Sequence, residues 1–310
     1  MSVTAQTACA AASELLFGSV ARGDADEISD RDILIVDDDV SILKRRTAEL
    51  EAAGWSVSSY TFQKMAALAN NGALFIQHLK LESKIIHDRT NRMAKILESF
   101  TPLSSYRTEI KKNREFADLI LEVPDSATGA LFAIDVLFVV LRNYGVLFLA
   151  EKGVHVYAFQ AILLELQKED LLAPSAVELL TEIRDLKTKY RNKVPVEKGE
   201  ATSLLLKILP YLPSQCAPKK LEFVSPERIL KSVNRAKRQS SYFQLRDLEK
   251  KVIALRDLGC WIPPDSLVAN IIKWKDNPGI YANLSAALAP VIRREISWCF
   301  SELQSRKIVA

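Results

Sequence analysis

Apolar residues follow two rhythms along this chain. Over roughly the first ninety residues, short apolar runs alternate with helical spacing. Leu15, Leu16 and Phe17 form a first run and Ile33-Leu34-Ile35-Val36 a second, each of the length of a buried strand. Between 41 and 53, Ile42, Leu43 and Leu50 recur at helical steps until Gly54 stops them. Trp55 to Thr61 alternates and predicts a strand. Residues 64–69 and 74–81 predict helices around the Asn70-Asn71-Gly72 turn, and Lys84 to Asp88 predicts a closing strand. The order is therefore strand, helix, strand, helix, strand, helix, strand.

From Arg92 onward the spacing is helical almost throughout. Helices are predicted over 92–100, 105–121, 126–149, 155–169 and 175–190, with breaks at Pro102, Pro124, Gly153 and Pro174. Pro195 to Gly199 reads as a linker, and more helices follow between Pro210, Pro213, Pro218, Pro226 and the Pro263-Pro264 pair. Met1 to Ala12 reads as a small Ala-rich helix without the basic start and apolar core of a signal peptide. The pattern predicts an α+β chain in three parts. A mixed sheet flanked by helices fills 1–91, a helical domain fills 92–200, and a helical C-terminal section fills 201–310.

Composition narrows this picture by exclusion. A chain of 310 residues can bury a large core, and a net charge of +4 alone does not imply nucleic acid. Cys9, Cys216, Cys260 and Cys299 lie far apart, as do His78, His87 and His155, so neither set has metal-ligand spacing and reduced thiols are expected. Residues 130–150 are long and apolar enough to span a bilayer. They include Asp135, Arg142, Asn143 and Gly145, which make a buried helix the better reading, with no membrane partner and a cytoplasmic protein. Asp135 and Arg142 fall on one helical face, two turns apart.

The chemistry concentrates near the start. Asp30 and Asp32 flank Arg31 just before the second apolar run. The segment holding both reads as a strand, so their carboxylates share a face, about 6–7 Å apart along the chain, and repel unless a cation sits between them. Magnesium suits that arrangement, because it takes carboxylate oxygens and leaves positions for water and phosphate. Upstream, Gly18-Ser19 ends the first apolar run and opens a short helix-compatible stretch. A small residue at such a junction lets backbone N–H groups approach a phosphate.

The string Gly18-Ser19-Val20-Ala21-Arg22-Gly23-Asp24, a spacer from Val20 to Ser29, and then Asp30-Arg31-Asp32 resembles the nucleotidyltransferase superfamily that includes DNA polymerase beta, above all its minimal branch. The resemblance is dense over roughly residues 13–90 and thin beyond. It implies a polymerase-beta-like catalytic domain with a nucleoside triphosphate as substrate and Mg2+ (or Mn2+) as cofactor. Asp30 and Asp32 would hold metal, Gly18 and Ser19 the β- and γ-phosphates. Arg22 would add charge to the triphosphate or form a structural salt bridge, and Asp24 would order the loop. The superfamily usually supplies a third carboxylate from a later strand. Here Ser56, Ser58 and Ser59 occupy its places, leaving Glu51, Asp88 or Asp135 as sources, or a single metal.

The helical middle section resembles the all-α domains, some of HEPN type, that follow this catalytic fold. Arg191-Asn192 is the nearest match to their ribonuclease motif, but no His follows, so ribonuclease activity is not expected. In the last section Arg228, Lys231, Arg235 and Arg238 follow three- and four-residue steps, with Lys237 beside them and Tyr242 and Phe243 after them. That pattern suits either a phosphate-binding stripe with stacking aromatics or a solvated face. Trp261, Trp274, Tyr281 and Trp298 are expected in core packing.

Together these features point to transfer of a nucleoside monophosphate to a hydroxyl, with a nucleotide or oligonucleotide as acceptor and a signal in bacterial antiphage defence as one product. Nucleotidylation of a toxin or effector protein partner, antibiotic nucleotidylation, and a non-catalytic nucleotide-binding module are the alternatives.

Overall fold

The computed structural model describes residues 10–26, 29–232, 240–269 and 288–309. The chain is α+β, with a small mixed sheet and a larger helical region, and divides into two compact units. The first comprises 1–106 and 146–162, the second 107–145 and 163–310. The sequence boundary at 91 thus falls inside the first unit, and most of 92–200 joins 201–310 in the second.

The first unit is built on four strands: β1 (Ser13–Leu16), β2 (Asp32–Val36), β3 (Ser56–Tyr60) and β4 (Lys84–Asp88), in the order β3-β2-β1-β4. β1 runs antiparallel to β2 and β4, while β2 and β3 are parallel. The four apolar residues of β2 are buried because both faces of this central strand are covered. Leu34 and Val36 meet Phe62, Met65, Ile76, Leu79 and Met93 from α3 (Phe62–Asn70), α4 (Leu74–Glu82) and α5 (Arg92–Ser99). Ile33 and Ile35 meet Leu43 and Leu50 of α2 (Val40–Ala52). Each such side chain, fully buried, contributes about 1.5–3 kcal/mol.

Local chemistry fixes where these elements begin. The Asp39 side chain accepts the Ser41 N–H at 2.7 Å and caps α2, and the Thr61 hydroxyl accepts the Lys64 N–H at 3.2 Å and caps α3. Glu14 points to the α2 face of the sheet and is buried. Arg46 of α2 answers it with Nε at 2.8 Å and a terminal nitrogen at 3.1 Å. At the edge, β4 shifts register against β1 between Glu14 and Leu15, leaving Ile85 and Ile86 exposed.

The second unit is mainly helical: α6 (Arg107–Phe116), most of α7 (Ala127–Glu151) and of α8 (Phe159–Lys168), α9 (Pro174–Arg191), α10 (Lys198–Ile208), α11 (Pro226–Lys231), α12 (Ser241–Asp257) and the helix Leu288–Val309. Helices throughout were expected here. The unit also contains a parallel pair, Glu122–Pro124 with Glu222–Val224, joining segments about a hundred residues apart. Three-residue strands are too short to carry an alternating signal. Residues 10–12, expected to end an Ala-rich helix, are not helical; 1–9 lie outside the described residues.

The core of this unit is organised around a charge. Asp135 of α7 is completely buried, with Arg246 of α12 at 2.6 Å and Arg191 of α9 at 3.1 Å. Arg246 also lies 3.2 Å from Glu249, whose other oxygen accepts the Tyr190 hydroxyl at 2.6 Å. Burial opposes ionisation of Asp135, but the two guanidinium groups outweigh it and hold the carboxyl below its ordinary range. Its contribution to stability is therefore complete above the unfolded carboxylate's titration near pH 4 and fades as pH falls further. Asp135→Ala should destabilise the protein by about 3–5 kcal/mol, because it breaks a fully buried ion pair with Arg246 and removes the carboxylate that Arg191 meets. Urea unfolding followed by circular dichroism checks this, and below pH 4 the wild type should lose stability more steeply than Asp135→Asn.

Candidate functional site

The end of β1 and the start of β2 bring the two halves of the N-terminal motif together. After Leu16 the chain turns at Phe17, whose N–H donates to the Asp32 carbonyl at 3.3 Å, and enters α1 (Gly18–Arg22). Gly18 has φ +70°, and a Cβ built on it would lie 2.8 Å from Asp32 Oδ2. Glycine suits the left-handed backbone, and any Cβ there would push the Asp32 carboxylate aside. Gly23 closes α1 with φ +86°, its N–H donating to the Ser19 carbonyl at 2.9 Å. The half-buried Ser19 hydroxyl has no hydrogen-bond partner among the described residues.

Asp30 is placed differently from the expected strand. β2 begins at Asp32, so Asp30 precedes it in irregular backbone and is exposed, while Asp32 is half-buried. Two contacts that spacing did not signal fix the segment between them. The Arg31 carbonyl accepts the Ser56 N–H at 2.9 Å, and the Arg31 guanidinium lies over the Trp55 ring at 4.1 Å. Upstream, Ser29 and Asp26 close the loop, with the Ser29 hydroxyl donating to Asp26 at 2.6 Å.

Arg22 takes the structural one of its two expected roles. A terminal nitrogen meets Glu82 at 2.6 Å and its Nε meets Asp24 at 3.0 Å. Burial works against the charge, but the two carboxylates hold Arg22 above its usual range. The same Glu82 oxygen lies 3.0 Å from His78 Nε2, and His78 stacks on Tyr157 with ring centres 4.3 Å apart. Glu82 stays below its usual range despite burial, through the bonds to His78 and Arg22. It anchors α1, and its position in a helical run gave no sign of that.

No third carboxylate joins this corner from β3, where Ser56 stands beside Asp32 in register. Asp88 pairs across from Ser13, at the opposite end of β1, and its oxygens accept the Ser13 hydroxyl at 2.6 Å and the Ala94 N–H at 2.9 Å. Asp135 is enclosed by its two arginines in the second unit. Among the described residues no group of three or more His, Cys, Asp or Glu is placed to hold a metal. Magnesium needs only one or two protein carboxylates when water and phosphate complete its shell. Asp32 held against a bare glycine turn, with Asp30 two residues away, fits that requirement.

The other expected features fare unevenly. Arg191, the residue of the incomplete ribonuclease motif, is taken up by Asp135. Of the basic stripe, Arg228 pairs with Glu122 and, at 3.5 Å, with Glu222. α11 ends at Lys231, where Ser232 turns to extended backbone (ψ 131°). Arg235, Lys237 and Arg238 lie outside the described residues. Tyr242 and Phe243 pack on Phe116, 5.2 and 6.0 Å between ring centres, instead of offering free faces. Trp261 and Trp298, expected in the core, are 60% and 50% exposed; Trp274 and Tyr281 lie outside the described residues.

Compared with family models, curated proteins and solved structures, the chain has no significant match in any of the three. Gly18→Ala tests the corner directly. It should lower stability by about 1–3 kcal/mol through the left-handed backbone alone, and displace Asp32, as read by urea unfolding and by the amide shifts of Asp32 and Ile33.

Proposed function

We propose that the chain is a magnesium-dependent nucleotidyltransferase of the polymerase-beta-like kind. The observation that carries this reading is the contact between Gly18 and Asp32, two motif residues fourteen positions apart in sequence that meet at one end of the sheet. In the reaction an acceptor hydroxyl attacks the α-phosphorus of a nucleoside triphosphate. A new P–O bond forms, the α–β phosphoanhydride breaks, and pyrophosphate leaves as the hydroxyl gives up its proton. The backbone at Gly18 and the Ser19 hydroxyl would hold the β- and γ-phosphates, and Asp30 and Asp32 would hold the metal. Magnesium bound there would neutralise phosphate charge and polarise the phosphoryl group. Arg22 acts as a strut for α1, since Glu82 and Asp24 already take its charge. Positioning supplies most of the rate in such a reaction.

The acceptor in this reading is a nucleotide or oligonucleotide, with a defence signal as one product and a protein partner as the alternative. The protein is read as cytoplasmic: α7 is long and apolar enough to cross a membrane, but 67% of its most apolar stretch is buried inside the protein. One observation favours a second reading, a nucleotide-binding module without turnover. Serine, not a carboxylate, stands beside Asp32 on β3.

Incubation with labelled ribo- and deoxyribonucleoside triphosphates and magnesium, with products resolved by size, separates these cases. Transfer predicts labelled oligomers or labelled protein, lost at least about a hundredfold in Asp30→Ala/Asp32→Ala. Magnesium-dependent nucleotide binding without labelled product supports the second reading. Incorporation unchanged in the double variant overturns the assignment of the site.

A further inference from the structure

The second unit contains a cavity that the transfer reading leaves unused. It measures about 360 Å³, in the range of small-molecule sites and beyond an ordinary packing void. It lies between the first turns of α7, the end of α9 with the loop after it, and the last turns of α12. Glu249, Val252, Ile253 and Arg256 of α12 line it at three- and four-residue steps, one helical face. With Leu131 and Val194 from the other elements, the walls are mostly aliphatic.

The floor is held in place before any ligand arrives. Tyr190 and Glu249 are buried and bonded to each other at 2.6 Å, and Glu249 is tied through Arg246 to Asp135 and Arg191. Two carboxylates meet two guanidinium groups there, with buried Lys187 also acting on Asp135, so the floor carries no excess of negative charge.

The mouth is different. Lys193 and Arg256 both line it, both are exposed, and neither forms a salt bridge among the described residues. Burial of part of Arg256 pulls its guanidinium below the usual range, and Tyr190 offsets this only in part. Asp257 lines the cavity too, its carboxyl pushed up by burial and held back by a bond to Ser126, so the two cations outnumber the one carboxylate at the mouth. Lys193 also occupies a backbone position that glycine would fill at lower cost. It follows the C-cap of α9 with φ +57°, while the Val194 N–H donates back to the Lys189 carbonyl at 2.9 Å. A lysine at a position glycine would fill at lower cost, lining an aliphatic cavity with a second cation free of salt bridges, points to an anion.

We propose that this cavity binds a small amphiphilic anion, its aliphatic body against Leu131, Val194, Val252 and Ile253 and its carboxylate-type head at the mouth with Lys193 and Arg256. The aliphatic walls give a nucleobase no free ring to stack on, since Tyr190 belongs to the bonded floor. Binding here is independent of the proposed transfer site.

Isothermal titration of the full chain with decanoate tests this, beside decanol and decyltrimethylammonium, which share the tail but not the charge. The expected result is saturable one-to-one binding of decanoate, at least tenfold tighter than either comparison. Lys193→Gly/Arg256→Ala should weaken decanoate at least tenfold. Lys193→Gly relieves the backbone, so its unfolding midpoint should not fall, and a loss of binding in it is not a loss of fold. Val252→Trp should fill the cavity and abolish binding. No decanoate binding, equal binding of all three ligands, binding of AMP in place of decanoate, or undiminished binding in the double variant overturns the proposal. None of these variants touches Asp30 or Asp32, so failure here leaves the transfer reading to its own assay.

Discussion

A carboxylate taken out of water must be met by a cation, and this requirement organises both units. In the second unit Asp135 sits in the middle of a long apolar helix, where an unpaired charge would cost several kcal/mol. Arg191 and Arg246 come to it from two other helices, and Glu249 and Tyr190 complete the set. Three helices are thereby fixed in register at one point, a constraint that aliphatic packing alone, being non-directional, does not impose. The first unit repeats the logic on a smaller scale, with Glu14 of the central β1 clamped by Arg46 of the covering helix.

The same rule explains the fate of the basic residues. Arg22, Arg191 and Arg228 are all drawn into ion pairs within their own unit. Sequence spacing identifies a cation but not the carboxylate that will claim it, since Glu82 lies sixty residues from Arg22 and Glu122 about a hundred from Arg228. Lys193 and Arg256 are among the cations on which no such claim falls within the described residues, and both line one cavity.

Much of the first unit was legible because its signals are local. The buried runs at Leu15 and Ile33, the alternation after Trp55 and the glycine stop at Gly54 each specify an element within a few residues, and β1 to β4 lie where those signals fall. The spacing singled out Gly18 and Asp32 separately but not their approach to each other, and the strand starts at Asp32, leaving Asp30 outside it. What escaped were long-range or very short features: the Glu122–Pro124 and Glu222–Val224 pairing, the stop at Ser232, and the Glu82 anchor. The exposure of Trp261 and Trp298 was missed for another reason, since hydrophobicity ranks a residue for burial without saying which face of its element turns inward.

The edge of the sheet has a consequence for how the molecules behave in company. β4 is a border strand with two bare isoleucines, the kind of margin along which copies of a protein zip into fibres. Its bulge against β1 bends the strand and throws its backbone donors out of even spacing, and Lys84 adds a like charge to every copy at that margin. On this margin a neighbouring copy meets an uneven ladder and a like charge, so geometry blunts the edge while its surface stays greasy.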